Sequence, residues 1–242
     1  GASHLDYMVA THAHEDHIGG LPGALNYAQV DTALSPVTQG STQVFENLVQ
    51  YLSAQHKSLT VPQPGDSFAL GSAQVEILGP VKEYDDTNDT SIVLRVDYGQ
   101  TSFLFTGDME REAEEDLLEA GARLDATVLK VGHHGSETST SYPFLREVMP
   151  EYAVISVGED NSYGHPDEST LSRLRDAVVV DVGDGLYELV NPVITERDGE
   201  QTDFEGCLSC PGVVGMETRP YRVTVQAQDR AGETFTVTAE GY

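Results

Sequence analysis

Apolar and polar positions change period several times along the chain. "LDYMVATH" carries β-formers into a polar turn at His12, which predicts a strand. "GGLPGALNYAQ" predicts a glycine-punctuated turn into a short helix. "STQVFENLVQYLSAQH" places Val44, Phe45, Leu48, Val49 and Leu52 at helical spacing, with Ser41 or Thr42 as the cap. The period then shortens. "DSFALGSAQVEILGP" reads as a hairpin, and "SIVLRVDYGQTSFLFTGD" as two antiparallel strands joined at Tyr98-Gly99-Gln100. "EREAEEDLLEAG" predicts an acidic amphipathic helix closed by Gly121. "DATVLKVGHHGS" is an apolar strand entering a histidine turn, "SYPFLREVMP" a helix, "EYAVISVGEDNSYGHP" a strand then a polar loop, and "DESTLSRLRDA" a helix with an acidic first turn.

Strands alternating with helices up to about Ala177 predict an α/β class. Beyond Val178 the pattern is strand-like without clear helices, and "YRVTVQAQDRAGETFTVTAEGY" reads as a terminal hairpin around Asp229–Gly232. The expected organisation is a domain over residues 1–177 and a β-rich extension of unknown role over residues 178–242.

The length, 242 residues, fits one large domain or a domain with an appendage, and 39% hydrophobic content suffices for a core. No apolar run approaches the roughly 18 residues that cross a bilayer. The chain starts at Gly1 without a signal-peptide pattern and enters a strand at once, which reads as a processed form or a fragment. Charge changes the picture most. Forty acids face thirteen bases, giving −27, and Lys57, Lys82 and Lys130 are the only lysines. Such a surface repels nucleic acid in dilute buffer. The acids are spread along the chain, which suits a solvated surface in a high-salt medium where screening is short-ranged. Cys207 and Cys210 in "GCLSCPG" form one CxxC; no second CxxC exists and no histidine follows, so a local disulfide is expected.

Chemistry concentrates in "THAHEDHIGG", which holds His12, His14, Glu15, Asp16 and His17. Imidazoles and carboxylates are the donors that divalent zinc, manganese or iron accept. His12 and His14, two apart in an extended turn, direct their rings the same way. Asp16 and His17 follow on a tightening turn and can face a second position. One histidine pair is a common surface accident; three histidines and an aspartate in six residues are not. Other polar groups also fall at strand ends: Asp108 after "FLFT", His133 and His134 after "TVLKV", and His165 after "YAVISVG". His4 and His56 fall outside the set and are expected to be terminal and simply exposed, respectively. The acids of "EREAEE" are expected to be a solvated helix face. Tyr142 and Tyr163 flank the histidine loops, where each can stack on a base or pack, with packing the favoured expectation.

The HxHxDH motif at His12–His17 resembles the signature of the metallo-β-lactamase fold. "NDTSIVL", "FLFTGD", "LKVGHHGS" and "NSYGHP", in that order, are similar to the hydrolase domain of ComEC-type DNA-uptake competence proteins. The resemblance covers roughly Leu5 to Arg175, and the ordered set is far more specific than HxHxDH alone. It implies a four-layer αββα sandwich with two divalent metal ions, Zn or Mn, on one edge. His12 and His14 would hold the first metal, Asp16 and His17 the second, and Asp108 would bridge them. His134 would complete the second site. His133 and His165 would touch the scissile phosphate or protonate the leaving group, and Asp16 would also orient the water. Asn88, Ser91, Ser136 and Tyr163 are the substrate-side residues. The family normally carries two or more strands before the first motif and another metal-binding histidine before the "TGD" aspartate. Here eleven residues precede the motif, so the sandwich is expected to lack its first strands, and Asn88 and Ser91 stand where that histidine would be.

The resemblance implies a metal-dependent phosphodiesterase or DNA nuclease at the cell surface or outside the cell. Its substrate would be DNA or a small phosphodiester. A membrane channel, if one serves it, would be supplied by another chain or by residues beyond these. The alternatives are hydrolysis of a small ester, lactone or β-lactam, since fold does not fix function, and a non-catalytic extracellular module on the same fold.

Overall fold

The computed structural model describes residues 3–158, 161–175, 177–181, 186–206, 214–229 and 233–241. It divides into two compact units, residues 1–172 and 173–242.

In the first unit, β1 (His4–Val9) leads through the histidine motif to two short helices, α1 (Glu15–Ile18) and α2 (Leu21–Leu25). β2 (Gln29–Leu34) pairs with β1 in parallel. Helix α3 (Gln43–Ala54) starts at Thr42, whose side chain accepts the Phe45 amide, as its capping chemistry predicts. β3 (Leu59–Thr60) then pairs in parallel with β2. Neither β2 nor β3 was anticipated from the sequence pattern. The strands alternate faces. Met8 and Ala10 turn toward a core shared with Phe45, Leu48 and Leu52 of α3, while Tyr7 and Val9 turn to the other side. Among the described residues β1 pairs only with β2 and forms an edge of its three-stranded sheet.

The second sheet has six strands in chain order: β4 (Ser67–Leu70), β5 (Ala73–Gly79), β6 (Val93–Tyr98), β7 (Thr101–Phe105), β8 (Val128–Lys130) and β9 (Tyr152–Val154). β4 to β7 are antiparallel hairpins; β7, β8 and β9 run parallel. The two sheets meet through Leu34, Ile77 and Ile92, with Tyr7, Val9, Phe68 and Leu94 around them. The Tyr7 and Phe68 rings stack at 3.8 Å across that contact. Helices α4 (Arg111–Glu119) and α5 (Tyr142–Val148) cover the far face, where Leu117 approaches Gly79 of β5. The layers are therefore α, β, β, α. Helix α6 (Glu168–Arg175) ends this part of the chain.

Beyond α6, the described elements of the second unit are strands. β10 (Ala177–Asp181) and β11 (Leu186–Asp198) pair antiparallel, β12 (Gln201–Gly206) and β13 (Val214–Arg219) form a separate ribbon, and β14 (Arg222–Gln228) joins β11 to β15 (Thr234–Glu240). The expected disulfide between Cys207 and Cys210 lies outside the described residues.

Candidate metal centre

The site sits where the ends of both sheets meet. Because β7, β8 and β9 are parallel, the loops leaving them open on one edge, bringing Asp108, His133–His134 and His165 to the same side. The edge of the first sheet is tied in by the Ile92 amide, which donates to Thr11 O at 2.8 Å. Asp16 and His17 lie on the single turn of α1.

Four side chains converge. Asp16, His17, Asp108 and His134 each offer a ligand atom, and these atoms lie within 4.8 Å of one another. His17 Nε2 is 3.0 Å from Asp108 Oδ2 and 3.2 Å from His134 Nε2. His134 Nε2 is 3.2 Å from Asp16 Oδ2 and 3.3 Å from Asp108 Oδ2. Beside them His12 Nε2 lies 3.1 Å from His14 Nδ1 and 3.9 Å from Asp108 Oδ2. Carboxylate oxygens and imidazole nitrogens crowd together here, and Asp108 Oδ1 is buried without a hydrogen-bond partner. A divalent cation satisfies such a donor set, and the residues fit one.

The electrostatics agree with that fit. Burial, followed by the neighbouring His17, depresses His12 to about 3, so its fully buried ring stays neutral and keeps a lone pair to donate. Burial pushes the Asp108 carboxyl up. The His17 hydrogen bond and the facing His17, His134 and Lys130 charges outweigh it and hold the group well below the usual carboxylate range. Lys130 lies behind the site, donating to Gly107 O and Val131 O at 3.0 Å each, and burial lowers its own pKa. Burial, then His133 and His134, lower His165.

The backbone is under local strain at the histidine turn: His133 (φ 45°) and His134 (φ 53°) both occupy the left-handed region. Non-glycine residues there cost on the order of 1–3 kcal/mol each and persist only when neighbours enforce them. The turn puts the two rings in different environments. His134 Nδ1 contacts Ser156 O at 2.7 Å and its Nε2 faces the carboxylates. His133 turns away, its Nδ1 2.9 Å from Glu110 Oε1. Asn88 Nδ2 donates to the same oxygen at 3.2 Å.

An open cleft of about 810 Å³ lies over this floor, lined by His14, Asp16, Asp108, His133, His134 and His165 with Ser156–Gly158 and Tyr163. Three of the anticipated substrate-side residues do not line it. Ser91 is fully buried behind the ligands; its Oγ accepts the Asp108 amide at 2.9 Å and lies 3.4 Å from His12 Nδ1. Asn88 is buried against Glu110. Ser136 is buried, its Oγ 2.9 Å from Thr138 Oγ1 and its carbonyl accepting from Thr170 Oγ1. Each braces the site from behind. Tyr163, the fourth, lines the cleft and is 82% exposed there rather than packed. His56 is exposed just past α3 with φ 58°, and His4 lies 3.0 Å from Asp31 on an exposed edge.

The acidic helix is also not wholly a solvated face. Glu110 reaches His133, and Glu114 is buried, accepting the Thr140 and Ser141 amides. Both could have been suspected. Glu110 leaves the same strand end as Asp108. Glu114 falls on the apolar stripe with Ala113 and Leu117, where an acid must find partners.

Comparison with known proteins fits this geometry. Residues 1–159 match the Metallo-beta-lactamase superfamily. The chain belongs to that superfamily. Two curated relatives of this metallo-beta-lactamase chain match it over most of its length. ComE operon protein 3 of Bacillus subtilis is 32% identical over 176 residues, covering 72% of this chain and 23% of the relative. Competence protein ComA of Neisseria gonorrhoeae is 34% identical over 177 residues, again covering 72% and 23%. The chain thus spans under a quarter of the length of these relatives. The tail, which the sequence pattern left without a family, also finds a match. Residues 151–242 match Polypeptide deformylase, and a peptide deformylase of Acetivibrio thermocellus is 61% identical over 64 residues, covering 26% of this chain and 38% of that protein. Among the described residues no helix is long and apolar enough to cross a membrane.

Proposed function

We propose that the first unit hydrolyses phosphodiester bonds, with DNA as the substrate, using two divalent metal ions, zinc or manganese. The convergence of Asp16, His17, Asp108 and His134 on one point of the cleft floor carries this reading. His12, His14 and Asp108 would hold one ion; Asp16, His17, Asp108 and His134 would hold the other. Bound there, the ions would supply Lewis acidity, lowering the pKa of water and offsetting charge on phosphoryl oxygens.

The chain's own groups supply position and proton handling. Asp108, buried and held ionised, fixes the spacing of the donors around it. Asp16, the most exposed of the four, can accept a hydrogen bond from the incoming water. His133, engaged through Nδ1 by Glu110, has Nε2 left for a phosphate oxygen or for the leaving oxygen. Water oxygen adds to phosphorus, the ester P–O bond breaks, and the proton given up by the water is matched by the one that the leaving oxygen takes, so that water is split between the two products. The name of the relative called competence protein ComA supports DNA. The −27 charge supports a second reading, a small phosphodiester, because a long polyanion is repelled unless salt screens the surface.

Incubating end-labelled DNA with the purified chain in high salt, with Mn²⁺ or Zn²⁺ added, tests the reading. Cleavage that requires metal and is abolished in Asp108→Ala is expected. Metal binding without DNA cleavage, together with turnover of a small phosphodiester, would move the function to the second reading. Absence of both activities in metal-loaded protein would refute phosphodiester hydrolysis.

A further inference from the structure

The cleft has an aromatic lip, and hydrolysis as just described gives it no role. Tyr163 is 82% exposed there. Its ring lies within 14° of parallel to the His165 ring, with centroids 5.9 Å apart, and His165 is 5.6 Å from His133. The loop that presents these rings is pinned. Asn161 Nδ2 donates to His165 O at 2.6 Å, and the His165 amide donates back to Asn161 Oδ1 at 3.0 Å. The Asp167 amide donates to Gly135 O at 2.9 Å. A Cβ added at Gly135 would come within 2.7 Å of Pro166, so the loop rests directly on the His133–His134 turn. The loop that carries the ring is already ordered by these contacts, so binding need not order it.

The charge of the cleft narrows what it can hold. Among the described residues lining it none is Lys or Arg, while Glu15, Asp16 and Asp108 are present. Proteins that hold duplex DNA do so mainly through Lys and Arg on phosphates. That source of affinity is missing from this wall. Ring faces remain, and stacking on a base needs no net charge. A base inside a duplex has its faces covered by its neighbours, so only an unpaired base can reach the lip.

We propose that Tyr163, backed by His165, is a stacking subsite for an unpaired nucleobase next to the phosphodiester on the cleft floor, which makes single-stranded nucleic acid the substrate class. This rests on the phosphodiester reading and refines it. Binding is the test, measured by fluorescence anisotropy on the metal-loaded chain with phosphorothioate backbones to slow cleavage. The probes are a short oligothymidylate, an abasic strand of equal length, and a duplex. The oligothymidylate should bind roughly ten-fold tighter than either of the others. Tyr163→Ala should erase that advantage and Tyr163→Phe should keep it. Raising salt should not weaken binding, because no Lys or Arg lines the cleft among the described residues and screening eases repulsion by the acidic surface. Equal binding of the abasic strand or the duplex, or an unchanged preference in Tyr163→Ala, would overturn the subsite. Turnover separates the two ideas. A chain that prefers bases but cleaves no phosphodiester keeps the subsite and loses the hydrolysis. One that cleaves abasic strands as well as base-bearing ones does the reverse.

Discussion

Glu114 offers a test of the packing behind the histidine turn. Its side chain is 1% exposed in α4 and its two oxygens accept the Thr140 and Ser141 amides at the start of α5. Burial raises its pKa from 4.5 to about 7, although the Ser141 and Thr140 hydrogen bonds pull the other way. The native chain therefore keeps this proton up to about pH 7, while the unfolded chain releases it near 4.5. Between those limits the native state binds more protons, so this group's contribution to stability is greatest at the acid end and is lost as pH rises through the window. A displacement of that size corresponds to roughly 3 kcal/mol, with no discount for solvent because the group is buried. Glu114→Gln keeps the shape and removes the titration. It also turns one acceptor into a donor facing a backbone amide, at a cost of about 1–3 kcal/mol that does not vary with pH. Urea unfolding of both proteins at constant salt, from about pH 4.5 to about 8, should show the wild type losing ~3 kcal/mol relative to the variant as pH rises. Parallel stability curves would refute the argument, since they would mean that Glu114 does not carry a proton in the fold.

Two substitutions probe the scaffold of the metal centre. Ser91→Ala leaves the buried Asp108 amide without its acceptor, which should cost about 1–3 kcal/mol and weaken Mn²⁺ or Zn²⁺ binding about ten- to a hundred-fold; metal titration and thermal unfolding check both, and unchanged affinity would remove Ser91 from the support of Asp108. Gly107→Ala forces a side chain onto a backbone at φ 55° and brings its Cβ to 2.7 Å from the Ser91 side chain. It should destabilise the first unit by upward of about 2 kcal/mol, and an unchanged melting temperature would show that this approach can relax.

The sequence by itself determined the local elements and the inventory of the site. The Thr42 cap, the helical stripe of α3, the hairpin turn at Tyr98–Gln100 and the closure of α4 near Gly121 are written in neighbouring residues, because caps, turns and amphipathic stripes act over only a few positions. The histidines and Asp108 at strand ends were legible for the same reason. The short parallel strands β2 and β3 were not. They take their place from partners distant in the chain, and buried parallel strands lack the polar alternation that marks a half-exposed strand. Local pattern does not separate the two histidines of the pair at 133–134; the resemblance points to His134, and tertiary structure brings that ring to Asp108 through the left-handed turn and a contact across 117 residues to His17. Tertiary structure also placed Glu114 inside, set Glu110 on His133, moved Ser91 and Asn88 behind the ligands and left Tyr163 in solvent. Those outcomes depend on which distant surfaces come together, and burial is a property of the assembled layers that residue type and spacing do not encode.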